Sequence, residues 1–148
     1  MSSYVMYLDW KKEGSDFSYE KFNRNHINTF SGNQTLNTSA APEYLGSADM
    51  TNPEELLGSA LVSCHLLTFL AICSKSGYVV ERFSCKTEAF LAKNEEGKMF
   101  VNEITLTPKI EFIGDRRPTD EQLIGLHEKA HRNCFISNSL KTKINFSL

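Results

Sequence analysis

Apolar residues recur at three- and four-residue spacing in one long stretch near the middle of the chain. One face of this stretch consists of Leu56, Leu57, Ala60, Leu61, Cys64, Leu67, Thr68 and Ala71. Asn52 precedes Pro53, where a helix needs no backbone N–H, and Glu55 follows at the capping-box position. The pattern predicts a helix that begins at Pro53 and ends near Gly77, because glycine suits the left-handed conformation that closes helices. The opposite face is apolar too, so we expect this helix to be buried on most sides.

Alternating apolar and polar residues, typical of strands, lie on both sides of this helix. Before it, residues 4–10, 17–22, 27–30 and 35–38 form short alternating pieces separated by turn signals. After it, residues 83–91 and 100–112 predict a hairpin around a turn at 94–97. A second capping box, formed by Thr119 and Gln122, begins another helix, and residues 142–148 alternate as a last strand. The order β-meander, α, β-hairpin, α, β indicates an α+β fold in which antiparallel strands wrap a long buried central helix.

Length and charge exclude several classes of protein. The 148 residues suit one domain, residues 1–148, and the 16 basic and 18 acidic residues form no basic stripe, so we expect no nucleic-acid partner. The N-terminus lacks a signal-peptide pattern, and the apolar helix contains Glu54, Glu55 and His65, which argues against a membrane span. We expect a cytoplasmic protein.

A helix so apolar is hard to bury against one sheet, so we also expect a homodimer.

Four cysteines stand at positions 64, 73, 85 and 134. Their spacing shows no structural disulfide framework, so any disulfide is expected to be redox-active. Cys64 lies inside the apolar helix and Cys134 follows the second helix. A lone cysteine in an apolar helix is most often a small core residue, and we interpret Cys73 and Cys85 in that way.

Residues 127–131, His-Glu-Lys-Ala-His, match the H-E-x-x-H pattern of zinc hydrolases. A catalytic zinc also needs a third protein ligand, and after His131 the chain contains no His, Asp or Glu, only Cys134. We therefore interpret the match as coincidental and predict no metal. His127 falls on the apolar face as a core histidine, whereas His131 stands one turn before Cys134 and can influence its thiol.

Two separated segments resemble the cysteine motifs of the OsmC/Ohr family of organic hydroperoxide resistance proteins. The first is residues 52–57 followed by Cys64, and the second is residues 130–139 with Cys134. The similarity extends over residues 4–146, and segments 19–26 and 39–43 resemble a less studied OsmC-like branch. The resemblance implies the OsmC-like fold, an intertwined dimer with the active site at the subunit interface, and a peroxiredoxin-like thiol peroxidase for organic hydroperoxides that serves in oxidative-stress defence.

The same resemblance assigns roles to four residues. Cys64 would be the peroxidatic cysteine, Cys134 the resolving cysteine, Glu54 the acidic residue at the helix start, and Arg24 the arginine that stabilises the thiolate. It implies no cofactor beyond an external dithiol reductant, lipoyl-type or a small thiol. Phe135 stands where many relatives have Pro.

The chemistry of a peroxidatic cysteine makes demands of its own. Burial near a helix centre raises a thiol's pKa, so we expect a cation near Cys64. His65 points about 100° away around the helix, which leaves Arg24 as the candidate. Glu54 lies about 15 Å from Cys64 along the helix, so a shared site favours a second subunit.

Two other functions remain open. The fold could bind a small apolar ligand without catalysis, or act as a redox sensor through the same cysteines. Zinc hydrolysis through His127 and His131 would instead predict stoichiometric zinc in the purified protein. Repeated consumption of peroxide with a dithiol separates the peroxidase from both.

Overall fold

A computed structural model describes residues 1–148. The chain divides into two compact units, Met1–Leu56 and Leu57–Leu148, and each is described by itself. That the chain forms a single domain stays a prediction.

The first unit is a three-stranded antiparallel meander. Its strands are β1 (Tyr7–Asp9), β2 (His26–Thr29) and β3 (Thr35–Thr38), in that order across the sheet. The β2–β3 turn places Gly32 and Asn33 at φ 76° and 61°, a left-handed conformation that both residue types tolerate. The three strands confirm the predicted meander.

The strand predicted at residues 17–22 is wrong. Asp16 accepts a hydrogen bond from the N–H of Ser18, and the Ser18 carbonyl accepts from Lys21 and Phe22, so the segment is a turn. The Asp16 side chain accepts a backbone hydrogen bond that a neighbouring strand would otherwise have to accept, so the turn needs no strand partner at this N–H.

Helix α1 (Pro53–Lys75) begins at the predicted residue. The N–H of Glu55 donates to the side-chain oxygen of Asn52 at 2.9 Å, and the Asn52 amide donates to the Glu55 carboxylate at 2.7 Å. At the other end Gly77 takes φ 79°, and the N–H of Tyr78 reaches back to the Cys73 carbonyl at 3.0 Å. Both predicted helix signals are confirmed.

The second unit carries a sheet of three strands in the order β4 (Val79–Lys93), β5 (Met99–Ile113) and β6 (Lys143–Phe146). Strands β4 and β5 form the predicted hairpin. Helix α2 (Asp120–Asn133) follows the predicted Thr119–Gln122 capping box. Strand β6 runs parallel to β5, which corrects the expectation of antiparallel strands throughout. The reason is that α2 carries the chain back to the end of the sheet where β5 began.

The core of the second unit consists of two clusters under one stripe of α1. One contains Phe69, Cys73, Tyr78, Leu126 and Ala130, and the other contains Leu61, Ile104, Leu106 and Cys134. The buried residues of α1 follow helical spacing: Gly58, Leu61, His65, Phe69 and Cys73. Leu67 on the opposite face remains 67% exposed. Within a single chain, α1 is therefore buried along one side, not on most sides.

By length and composition alone, α1 is also apolar enough to cross a membrane. Core helices of globular proteins meet the same criterion. The absence of a membrane span and the cytoplasmic location accordingly stay predictions.

Candidate functional site

Cys64 and Cys134 meet in the second unit. Helix α1 presents Cys64 in its middle, and Cys134 is the residue that ends α2. The two side chains are in hydrogen-bond contact, and both sulfurs are free thiols. Cys134 is 1% exposed, whereas Cys64 is only partly buried. The structure thus brings together the two cysteines that the sequence singled out.

The backbone after α2 surrounds these sulfurs with N–H groups. The N–H groups of Phe135 and Ile136 are hydrogen-bonded to Cys64, and the N–H of Ser137 donates to the Cys134 sulfur at 3.4 Å. We call residues 134–137 the sulfur-binding turn. It forms because the chain leaves α2 at Cys134 and bends at once into a short 3₁₀ helix, Ser137–Ser139.

This environment separates the two thiols in acidity. Burial raises the pKa of Cys64, but hydrogen bonds from the Ile136 N–H, the Cys134 thiol and the Phe135 N–H outweigh burial and hold that pKa below its usual value. Burial and, to a smaller extent, the adjacent Cys64 raise the pKa of Cys134 to about 11. Cys64 is therefore the more acidic of the two thiols, and the Cys134 S–H donates a hydrogen bond to its sulfur.

The donors at Cys64 revise the expectation that a cation must lie nearby. Backbone N–H groups and the neighbouring S–H group hydrogen-bond to the charged form and so favour it, as a positive side chain would. No sequence pattern predicts these donors, since every residue except proline has a backbone N–H. In contrast, burial raises the pKa of Cys73 to about 11 and also raises that of Cys85.

Arg24 lies in the first unit, where the turn at residues 19–22 holds it. Its guanidinium donates to the carbonyls of Phe22 and Tyr19 at 2.9 and 2.6 Å and lies 3.8 Å from the centre of the Phe22 ring. These contacts fix the side chain by hydrogen bonding and by cation–π attraction. Its predicted contact with the Cys64 thiolate stays a prediction.

Glu54 lies in the first turn of α1 and forms no ion pair. The single salt bridge of the chain joins Lys86 and Glu88, at 2.8 Å on the surface. Glu55, the next residue, is engaged in the helix cap. The role of Glu54 therefore stays a prediction as well.

The histidines of the H-E-x-x-H segment face different surroundings. His127 lies in the core, where its Nδ1 atom is 3.0 Å from Nε2 of His65 and the two rings stack at 5.3 Å between centres. Burial lowers the pKa of each of these histidines to about 4. His131 instead bonds through Nδ1 to the hydroxyl of Ser137, at 3.0 Å. Sequence reasoning placed His131 near Cys134 by spacing but did not find the Ser137 contact.

A sequence profile of OsmC-like proteins matches residues 46–148. This chain belongs to the OsmC-like family. The uncharacterised protein YmaD of Bacillus subtilis (strain 168) is 28% identical over 128 residues, 85% of each chain. An OsmC-like protein of unknown function from Vibrio cholerae O1 biovar eltor is 35% identical and superposes with a TM-score of 0.94 over 99% of both chains. The predicted family and the α+β fold are confirmed.

A more distant relative of this OsmC-like protein is an organic hydroperoxide resistance protein OsmC from Legionella pneumophila. It is 20% identical, covers 100% of both chains and has a TM-score of 0.71. At that identity the similarity shows the fold alone. Proteins with this fold thus include one named as a hydroperoxide resistance protein, whereas the more similar relatives have no stated activity.

This OsmC-like protein also has an apolar pocket in its first unit that sequence reasoning missed. The cavity measures about 400 Å³, and Trp10, Phe17, Phe22 and Arg24 contribute to its almost wholly apolar wall. Neighbouring rings contact one another, with centres 6.0 Å apart for Trp10 and Phe17 and 5.4 Å apart for Phe17 and Phe22. Interpreting 17–22 as a strand hid the pocket, because the turn is what gathers these rings.

Proposed function

We propose that this OsmC-like protein is a thiol-dependent peroxidase that reduces organic hydroperoxides through Cys64 and Cys134. The observation that carries the proposal is the contrast between two touching thiols. Hydrogen bonds lower the pKa of Cys64, and burial raises that of Cys134 to about 11. Because only a thiolate attacks peroxide efficiently, Cys64 is the peroxidatic and Cys134 the resolving cysteine.

In the first step the Cys64 thiolate attacks the distal oxygen of the hydroperoxide. The O–O bond breaks, the departing alkoxide takes a proton and leaves as an alcohol, and Cys64 becomes a sulfenic acid. The sulfur of Cys134 then attacks that of Cys64. An S–S bond forms, the S–O bond breaks, and the hydroxide leaves with the Cys134 proton as water.

An external dithiol completes the cycle. One of its thiolates attacks the Cys64–Cys134 disulfide and releases one protein thiolate, forming a mixed disulfide. The second thiolate of the reductant attacks this mixed disulfide and releases the other protein thiolate, so that both cysteines return to thiols on protonation. A lipoyl-type dithiol or a small thiol would serve, and no cofactor is required. One hydroperoxide and one dithiol thus give one alcohol, one water and one disulfide.

Exposed apolar side chains support an organic peroxide over hydrogen peroxide. Phe135, in the sulfur-binding turn, is 82% exposed, and Leu67 is exposed one turn after Cys64 on α1. Both can contact an alkyl or aryl group near the sulfur. Leu61, one turn before Cys64, is in the core and is not available to a substrate.

We further propose that the protein is a cytoplasmic homodimer that serves in oxidative-stress defence. Leu67 and Leu70 are exposed on α1 among small residues such as Ser63 and Ala71, a surface that suits a second copy of the helix. In such a dimer, Arg24 would be the cation that stabilises the thiolate and Glu54 would be the acidic residue of the site, as the family resemblance assigns.

Turnover tests the proposal. Purified protein is given cumene hydroperoxide and dihydrolipoamide, and the peroxide is measured over many equivalents. Cys64→Ser should abolish consumption, whereas Cys73→Ser, a substitution at the other α1 cysteine, should retain it. Consumption no faster than that of the dithiol alone, in a folded protein, would overturn the peroxidase.

A second candidate, binding of a small apolar ligand, is favoured by the pocket beside Trp10 and Phe17. A binding protein or a redox sensor of this kind would not turn over peroxide repeatedly. The same assay therefore separates the two.

A further inference from the structure

The reaction described above leaves the His131–Ser137 hydrogen bond without a role. Nδ1 of His131 and Oγ of Ser137 are 3.0 Å apart, and both side chains are partly buried. His131 lies in the last turn of α2, and Ser137 is the last residue of the sulfur-binding turn. The bond therefore joins the helix to the far end of the segment that contains Cys134.

The direction of the N–H groups in this turn matters for both sulfurs. Hydrogen bonds weaken steeply as their geometry departs from linear, so small rotations of the turn weaken the donors from Phe135 and Ile136 to Cys64. The Ser137 N–H, which bonds to the Cys134 sulfur, belongs to the same residue whose hydroxyl contacts His131. Holding Ser137 thus fixes one end of the donor array, while the end of α2 fixes the other.

Other hydrogen bonds in the turn act on its carbonyls. The N–H of Asn138 donates to the Cys134 carbonyl at 3.0 Å, and the Ser139 hydroxyl donates to the Phe135 carbonyl at 3.0 Å. These bonds shape the segment locally. The His131–Ser137 contact is the side-chain link that ties its end back to the α2 helix.

The groups around His131 leave Ser137 as its hydrogen-bond partner. His65 of α1 lies within electrostatic range of it, its ring contacts that of Phe146 of β6 edge to face, and Arg132 and Lys143 line with it a cavity of about 670 Å³. None of these groups is a carboxylate, so no acidic side chain competes for the imidazole.

We propose that His131 is a positioning residue: through Ser137 it holds the N–H groups of residues 135–137 against the two sulfurs and so favours the thiolate of Cys64. This inference deepens the proposed function and rests on it only for its catalytic consequence, since the thiolate is the species that attacks peroxide. The effect of His131 on the ionisation of Cys64 can be measured without peroxide.

The test is the pH dependence of Cys64 alkylation by iodoacetamide, with the labelled peptide identified by mass spectrometry. His131→Ala and Ser137→Ala should each move the midpoint up by about half a unit, which slows labelling about threefold below the midpoint. His131→Asn should retain the wild-type midpoint, because its amide reaches the position of Nδ1. The double variant should shift no further than either single variant, since both remove one bond.

Arg132→Gln is the matched control, because it changes an exposed neighbour on the same helix turn and should leave the midpoint unchanged. A cooperative thermal unfolding transition establishes that each variant is folded. If His131→Ala does not fold, the test relies on Ser137→Ala. An unchanged midpoint in the folded Ser137→Ala variant would overturn the inference, as would a shift in His131→Asn as large as in His131→Ala. If the variants shift the midpoint but the wild-type protein turns over no peroxide, the inference about His131 is supported and the proposed peroxidase function is wrong.

Discussion

The Cys134 thiol donates a hydrogen bond to the Cys64 sulfur, although the same turn of backbone supplies N–H donors to both residues. The two sulfurs differ in the hydrogen bonds that they receive and in their burial. The Cys64 sulfur receives hydrogen bonds from Ile136, Phe135 and the Cys134 thiol and is partly exposed, whereas Cys134 is almost fully buried. The structure thus holds two thiols of different acidity in hydrogen-bond contact.

This contrast predicts the order in which the four cysteines react. With limiting iodoacetamide near pH 7.5, Cys64 should be alkylated first, because hydrogen bonds lower its pKa, while burial raises the pKa of Cys73 and of Cys134 to about 11. Peptide mass spectrometry over a time course gives the order. Equal labelling of Cys64 and Cys85, the other partly exposed cysteine, would contradict the account.

The buried His65–His127 pair predicts a loss of stability in mild acid. Burial lowers the pKa of each imidazole to about 4, against about 6.5 in the unfolded chain. Between these values the unfolded state binds more protons, so the free energy of unfolding falls as pH decreases from about 6.5 towards 4. The full stability is present above that window. A displacement of this size corresponds to at most about 3.5 kcal/mol for one histidine, and the contributions of two histidines in contact do not simply add.

Urea unfolding at several pH values checks this prediction. The double variant His65→Leu with His127→Leu should flatten the dependence between pH 6.5 and 4.5, whereas His127→Leu alone leaves a buried imidazole without its partner and should destabilise by about 1–3 kcal/mol. His26→Gln, in the first unit, is the control and should keep the wild-type slope. An equally steep slope in the double variant would show that other groups are responsible.

The exposed face of α1 predicts self-association. Leu67→Asp places a charge in the centre of this face and should convert a dimer to a monomer, because an unpaired carboxylate is costly to bury. Sedimentation equilibrium measures the mass. Phe90→Asp, at an exposed apolar position on β4, is the control and should leave the dimer intact. A monomeric wild type, or a Leu67→Asp dimer of unchanged affinity, would exclude this helix as the interface.

The single tryptophan of the chain reports on the pocket in the first unit. Trp10 is part of its wall, so binding of a small aromatic ligand should change the tryptophan emission in a saturable way. Phe17→Ala removes the ring that packs edge-on against Trp10 and should weaken binding about tenfold or more. Emission that stays constant up to the solubility limit of the ligand would show that the pocket does not bind apolar molecules of this kind.

Local signals in the sequence were sufficient for the helices and the hairpin. Asn52, Pro53 and Glu55 define the start of α1, Gly77 defines its end, and Thr119 with Gln122 starts α2, because capping depends on neighbouring residues only. Strand alternation predicted β6 but not its direction, since a period of two is the same for parallel and antiparallel pairing.

The remaining features depend on contacts that no local pattern encodes. His65 and His127 are 62 residues apart in the chain, and their pairing follows from how α1 and α2 pack. The donors to Cys64 are backbone N–H groups, which every residue but proline carries. The position of Cys134 was predictable by family resemblance; the sulfur-binding turn that separates the acidities of the two thiols was not.

Intact mass is the most direct test of the peroxidatic and resolving roles. The fully reduced protein is mixed with a small excess of cumene hydroperoxide, quenched and weighed, beside the Cys134→Ser and Cys64→Ser variants. The account predicts that the wild type loses two hydrogens, that Cys134→Ser gains one oxygen, and that Cys64→Ser does not change rapidly. Masses that remain unchanged in all three proteins would contradict the peroxidase and leave ligand binding as the better explanation.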